Sequence, residues 1–199
     1  MKKYILTILL SVLILLLPIG VAAGMAFGLP AQYGDTFLGE MTVKFDRLRS
    51  VEGPKVVVVG GSSVAFGLDS TALEEAVGMP VVNFGLYATL GTKYMIDMSK
   101  AGIGEGDIVI LAPETDPQTM SLYFNGEAVW QAMDQDLTML RYIPYDNWGK
   151  LSSRLWDFAE AKYGYWKDGN APKPEGVYAL SSFNEYGDLV YPRDFNIMV

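Results

Sequence analysis

Three hydropathic regimes follow one another along the chain. From Tyr4 to Gln32 no residue is charged, and Ile5 to Leu17 is almost entirely Leu and Ile. Such a run crosses ~30 Å of hydrocarbon as a helix. It also lacks the polar face that a helix on a water-soluble core carries. From Lys55 to Pro113 short apolar runs alternate with amphipathic ones. Lys55-Val56-Val57-Val58-Val59, closed by Gly60-Gly61, has the pattern of a strand buried on both faces. Asp69 to Val77 predicts a helix, with Asp69 or Ser70 as its cap and Gly78 as its stop. Pro80 to Phe84 predicts a second strand. Gly91 to Ala101 predicts a second helix with Tyr94, Met95 and Met98 on one side, and Asp107 to Ala112 a third strand. Strand, helix, strand, helix, strand in so short a stretch predicts parallel strands joined by right-handed crossovers.

Beyond Pro113 the pattern is less regular. One or two helical turns are expected over Asp116–Phe124 and a helix over Glu127–Tyr142. Another is expected from Trp148 to about Trp166 with Asn147 as its cap, and a hairpin pairs Val177–Phe183 with Asp188–Tyr191. The segment from Gly34 to Gly53, with Lys44, Arg47 and Arg49, reads as a stalk and short helix between the apolar run and the body.

Charge sets the topology expected of the first segment. Lys2 and Lys3 hold the N-terminus in the cytoplasm, so the rest lies outside. The length of the apolar span suits a retained anchor, whereas Val21-Ala22-Ala23 or Gly24-Met25-Ala26, after the helix-breaking Pro18, supplies the small residues of a cleavable signal. The whole chain of 199 residues has a net charge of −8, and removing Lys2 and Lys3 leaves −10 on the exported part. An acidic body is repelled by an anionic bilayer surface and is expected to stand off it. The same acidity excludes sequence-independent nucleic-acid binding.

Composition narrows the chemistry further. There is no Cys and no His. Disulfides, thiol nucleophiles, thiolate or imidazole metal sites and a complete Ser-His-Asp triad are therefore absent from this sequence. What is left is hydroxyl, carboxylate, amine and backbone chemistry. Gly60-Gly61-Ser62-Ser63 falls at the C-terminal end of the first strand, where open α/β sheets bind ligands. It is either a tight turn whose serines bond only to backbone, or a hydroxyl nucleophile beside N–H groups able to hold an oxyanion.

The stretch from Val56 to Glu114 resembles the start of the SGNH/GDSL-like hydrolase superfamily, especially its exported, membrane-tethered bacterial branch. The matching residues are Val57-Val58-Val59-Gly60-Gly61-Ser62-Ser63 and the following Phe66-Gly67-Leu68-Asp69. The resemblance implies an α/β, three-layer, flavodoxin-like sandwich whose short parallel sheet is incomplete in this chain. A helical and hairpin insertion begins at about 117. It also implies an esterase or acyltransferase acting on acyl esters of cell-envelope glycans or polymers, with Ser63 as nucleophile. The family's second motif, an Asn followed by a small residue, matches Asn83-Phe84-Gly85-Leu86-Tyr87-Ala88-Thr89-Leu90-Gly91, so Gly85, Ala88 and Gly91 are candidates for the oxyanion-hole N–H. Gly85 and Ala88 are carried forward here. No cofactor and no metal is implied.

Two departures from the family stand out. Pro113-Glu114-Thr115-Asp116 has no Asn where the third motif would carry one, and the closing Asp-x-x-His is missing. A serine hydroxyl needs a base. The expectation is therefore that a His lies beyond this chain and that these residues alone are inactive. Lys93 is expected to be a solvated helix residue rather than a base, since a catalytic Lys must be desolvated. Glu114 and Asp116 are expected at a helix start, where carboxylates favour the dipole. A nucleotide site is disfavoured, because Ser62 replaces the second glycine of Gly-x-Gly-x-x-Gly. The alternative function is a noncatalytic, membrane-anchored glycan-binding or assembly module. It would use aromatics such as Tyr123, Trp130, Tyr145, Trp148, Trp156 and Trp166, although at helical spacing such residues more often form core.

Overall fold

The computed structural model describes residues 2–113 and 124–192. The apolar run forms one helix, α1 (Lys2–Gly28), which continues through Pro18. It is long and apolar enough to cross a membrane. Its side chains are exposed from Tyr4 to Val21, and burial begins abruptly at Ala22 and Ala26.

The body is α/β. Three parallel strands, β1 (Val56–Gly60), β2 (Val81–Gly85) and β3 (Ile108–Ala112), lie in the order β2-β1-β3. Val56 pairs with Val81 on one side and Ile108 on the other. At the opposite end Gly60 lies between Gly85 and Ala112. The helices α3 (Ser62–Gly67) and α4 (Ser70–Val77) follow β1, and α5 (Thr92–Ser99) follows β2. Asp69 caps α4 by accepting the Ala72 N–H at 2.9 Å, and Gly78 ends it at φ +70°, a conformation that costs any other residue more.

The two faces of the sheet are covered unequally. Val57, Val59, Val82 and Phe84 join a large cluster with Met41, Phe45, Leu48, Tyr94, Met98, Trp130 and Phe158. Among the described residues Val56, Val58 and Val81 form a smaller cluster with Val64, against which the half-buried Leu68, Leu73, Met79 and Ala112 pack. Each of these valines contributes roughly 1.5–3 kcal/mol by burial, so the first strand is the heart of the fold.

The edges of the sheet also differ. The helix α2 (Glu40–Ser50) packs against β2 with Met41, Phe45 and Leu48 buried. This corrects the expectation of a stalk over Gly34–Gly53: the segment belongs to the body, because its apolar positions recur on one face of a helix that has a sheet to cover. Arg47 donates to the Val81 carbonyl at 3.1 Å and Lys44 to the Gly85 carbonyl at 2.7 Å, so two carbonyls of β2 are capped by side chains. The third strand forms where the pattern predicts it, and it is far more exposed than the other two. Ile108, Val109, Ile110 and Leu111 are 40–56% exposed: β2, the other outer strand, is packed by α2, α3 and α4 and is buried throughout, whereas among the described residues no helix packs on β3 to that extent.

Three later elements are shorter than the pattern predicts. The helix expected over 127–142 ends as α6 (Gly126–Ala132), and a 3₁₀ segment follows from Leu137 to Tyr142. The break falls where the Asp134 carboxylate turns to the N–H groups of Gln32 and Tyr33, and Asp136 caps the next segment through Thr138 N–H. The helix expected over 148–166 divides into α7 (Trp148–Ser152) and α8 (Leu155–Asp168) at Ser153-Arg154. The hairpin reduces to one antiparallel bridge between Phe183 and Leu189, because two 3₁₀ turns, Gly176–Tyr178 and Leu180–Ser182, occupy the first limb. The turn at Asn184 does form, with its side chain accepting the N–H groups of Tyr186 and Asp188.

Candidate active site

The chain leaves Gly60 and enters α3 after a single residue, so Ser62 and Ser63 form the first turn of that helix at the C-terminal end of the central strand. Ser63 is exposed, Ser62 is half-buried, and both take part in further interactions. On the opposite side of α3, Val64 and Ala65 are buried. The order β2-β1-β3 sends the chain from β1 to one side and then back across it to the other. The end of β1 is thus the point where the connections diverge, the place at which such sheets form ligand crevices.

Gly85 lies at the end of β2, directly beneath α3. A Cβ at this position would overlap the backbone N of Ala65 and stand 2.8 Å from the Val64 carbonyl carbon. Its N–H donates to Asn83 Oδ1 at 2.9 Å and its carbonyl accepts from Lys44. Gly85 is therefore a close-approach glycine whose donor is already used. Ala88 is half-buried and opens the 3₁₀ turn Ala88–Leu90, where first-turn N–H groups have no acceptor within the turn.

Beneath α3 lies a buried polar network that the sequence pattern did not reveal. Asn83 Nδ2 donates to Asp188 Oδ1 at 2.8 Å, to the Gly187 carbonyl at 3.3 Å and to the Val64 carbonyl at 3.5 Å, one residue from Ser63. Asp188 also accepts the Ser70 N–H at 2.7 Å and the Ser70 hydroxyl at 2.8 Å. Lys44 donates to Asn83 Oδ1 at 3.3 Å and faces Glu40 at 3.7 Å. Of the two carboxyls near Lys44, Asp188 has three donors, whereas both Glu40 oxygens lack a hydrogen-bond partner among the described residues. Burial pushes Glu40 up to about 8, against the pull of Lys44, and pulls Lys44 down to about 8. The signal in the sequence was Lys44 itself, a charge set among Met41, Phe45 and Leu48 on the apolar face of a helix.

The remaining candidates fall into place around this. Lys93 pairs with Asp97 at 2.6 Å and Asp146 at 3.7 Å, and the hydrogen bond to Asp97 raises its pKa, the opposite of what a base at neutral pH needs. Glu114, Thr115, Asp116 and Tyr123 lie outside the described residues. Among the other aromatics Trp130 is core, while Tyr145, Trp148, Trp156 and Trp166 are exposed. An apolar groove of about 490 Å³ runs between Thr36, Phe37, Leu38, Tyr87, Tyr178 and the Pro172-Lys173-Pro174 segment. Ser63 does not line it. It is connected to α3 through Phe37, whose ring lies 4.9 Å from that of Phe66, and it reaches Tyr87 next to Ala88. No protein-family model, curated protein or solved structure matches this chain.

Proposed function

We propose that this is a membrane-anchored, exported α/β protein of SGNH-like, flavodoxin-like build that handles acyl esters of envelope glycans or polymers. In this reading Ser63 attacks the ester carbonyl, the N–H groups of Ser63 and Ala88 hold the oxyanion, and a base from outside these residues takes the serine proton. The single observation that carries it is the position of Ser63: an exposed residue at the first turn of α3, at the divergence of the crossovers. Gly85 has no oxyanion role here, since its N–H is held by Asn83. The network below α3 ties the helix bearing Ser63 to β2, α4 and the Asp188 loop.

Retention of α1 is supported by its outer end, which is built into the body. Ala22 and Ala26 are buried, and the Phe27 ring meets Trp130 edge-on at 6.1 Å. Cleavage after Ala23 or Ala26 would remove part of that packing.

Labelling with a serine-directed fluorophosphonate, in native membranes where a partner can supply the base, tests the chemistry. Ser63 is expected to be modified and the Ser63→Ala variant to stay unlabelled. Equal labelling of the two proteins, or none of either, overturns it.

The aromatic walls of the groove favour a second reading, a noncatalytic glycan-binding module, since the exposed Tyr87 and Tyr178 are rings on which a sugar could stack. Loss of glycan binding in Tyr178→Ala, with no labelling of Ser63, would select it.

A further inference from the structure

The outer end of α1 is locked to the body by buried charge. Asp134 accepts the Gln32 N–H at 2.6 Å and the Tyr33 N–H at 3.2 Å, and pairs with Lys162 at 2.7 Å. Lys162 in turn donates to the Ala26 carbonyl at 2.9 Å. Both charged side chains are essentially inaccessible, at 0% and 1%. The body therefore has no slack linker between it and the helix, and α8 packs directly on α1.

The height of this lock follows from helix geometry. A hydrocarbon core of ~30 Å takes about 20 helical residues, and counting from Tyr4 brings its far boundary to Ala23. Ala26 then stands only ~5 Å beyond the hydrocarbon, inside the headgroup layer. Lys162 is bound at that level. Tyr163 and Trp166, one and four positions along α8, are 41% and 48% exposed, and their rings lie 5.9 Å apart. They are thus within about one helical turn of the headgroups. Trp and Tyr are the side chains that settle at this depth, because an amphipathic ring suits a boundary that is apolar on one side and wet on the other.

We propose that the Tyr163–Trp166 face of α8 is seated in the exoplasmic headgroup layer of the bilayer that α1 spans, so that the body lies on the membrane rather than standing off it. The inference rests on α1 being a retained anchor. The net charge of the exported part does not oppose it, because the contact is made by neutral rings, and the Lys162–Asp134 pair behind them is inaccessible and compensates itself.

The test uses the full chain in phosphatidylcholine vesicles brominated near the carbonyl end of the acyl chains, in a Trp148→Phe, Trp156→Phe background. Flotation after carbonate wash reports anchoring separately from fluorescence. The expected result is flotation together with a loss of tryptophan emission by about twofold relative to unbrominated vesicles. Adding Trp166→Phe should abolish most of that loss. A protein that floats but whose Trp166 is not quenched overturns the seating while leaving the anchor in place. A blue-shifted, unquenched Trp166 whose emission depends on protein concentration overturns it in favour of a second copy on this face. A protein that does not float removes the anchor and the seating together.

Discussion

At the scale of single residues, the site depends more on Asn83 than on either serine's neighbours in sequence. Its amide holds Asp188, Gly187 and Val64 on one side and Lys44 and Gly85 on the other. Asn83→Ala leaves Asp188 and Lys44 each short of a partner, at about 1–3 kcal/mol apiece. Denaturant unfolding in detergent should show a loss of roughly 2–4 kcal/mol. Glu40 predicts a pH dependence. Its folded pKa lies at about 8 against an ordinary 4.5, so between these values the native state holds a proton that the unfolded chain has released. Stability therefore falls as pH rises through that window. Lys44 acts in the opposite sense above it, since there the unfolded chain binds the extra proton. Glu40→Gln should flatten the decline between pH 5 and 8 in the same unfolding measurement, and an unchanged slope would reject the assignment. Little of this was legible beforehand. The Asn was marked through a family resemblance, but Asp188 and Ser70 are 118 positions apart and meet only because the fold returns the 184–190 turn to the start of α4.

At the scale of elements, what the pattern predicted best was the alternation from Val56 to Ala112. There the apolar runs are short, the caps are explicit, and local preference agrees with the sheet. It failed where tertiary demands broke a helix. Asp134 serves two backbone N–H groups about a hundred residues away, and the helix expected over 127–142 stops at the residues it needs for that. The exposure of β3 shows a further limit: a run of Ile and Val identifies a strand but not how many neighbours cover it. Gly85 is the most constrained point between elements. Gly85→Ala forces α3 away from β2, because the new Cβ meets the backbone of Val64 and Ala65, an overpacking cost of ~3 kcal/mol. Thermal unfolding should show it directly, and any labelling of Ser63 should fall with it because α3 moves.

At the scale of the molecule, the lock joins α1 to the body through residues more than a hundred positions apart. Lys162→Met removes one partner of a buried pair and leaves Asp134 charged in the interior, a loss of about 3–5 kcal/mol. Limited proteolysis should then cut the Leu29–Gln32 connection faster than in the unaltered protein. The double variant Lys162→Met, Asp134→Asn should recover part of the difference, since both charges are gone.

The unequal margins of the sheet carry one more consequence. Arg47 and Lys44 occupy carbonyls on the flank of β2, while among the described residues β3 has a neighbouring strand on its β1 side alone. Widening can therefore proceed in a single direction. Any strand added there, from whatever source, would lie alongside β3 and convert it from a margin into an interior member of a broader ribbon, with Ser63 then one strand in from the β2 flank of a longer rim.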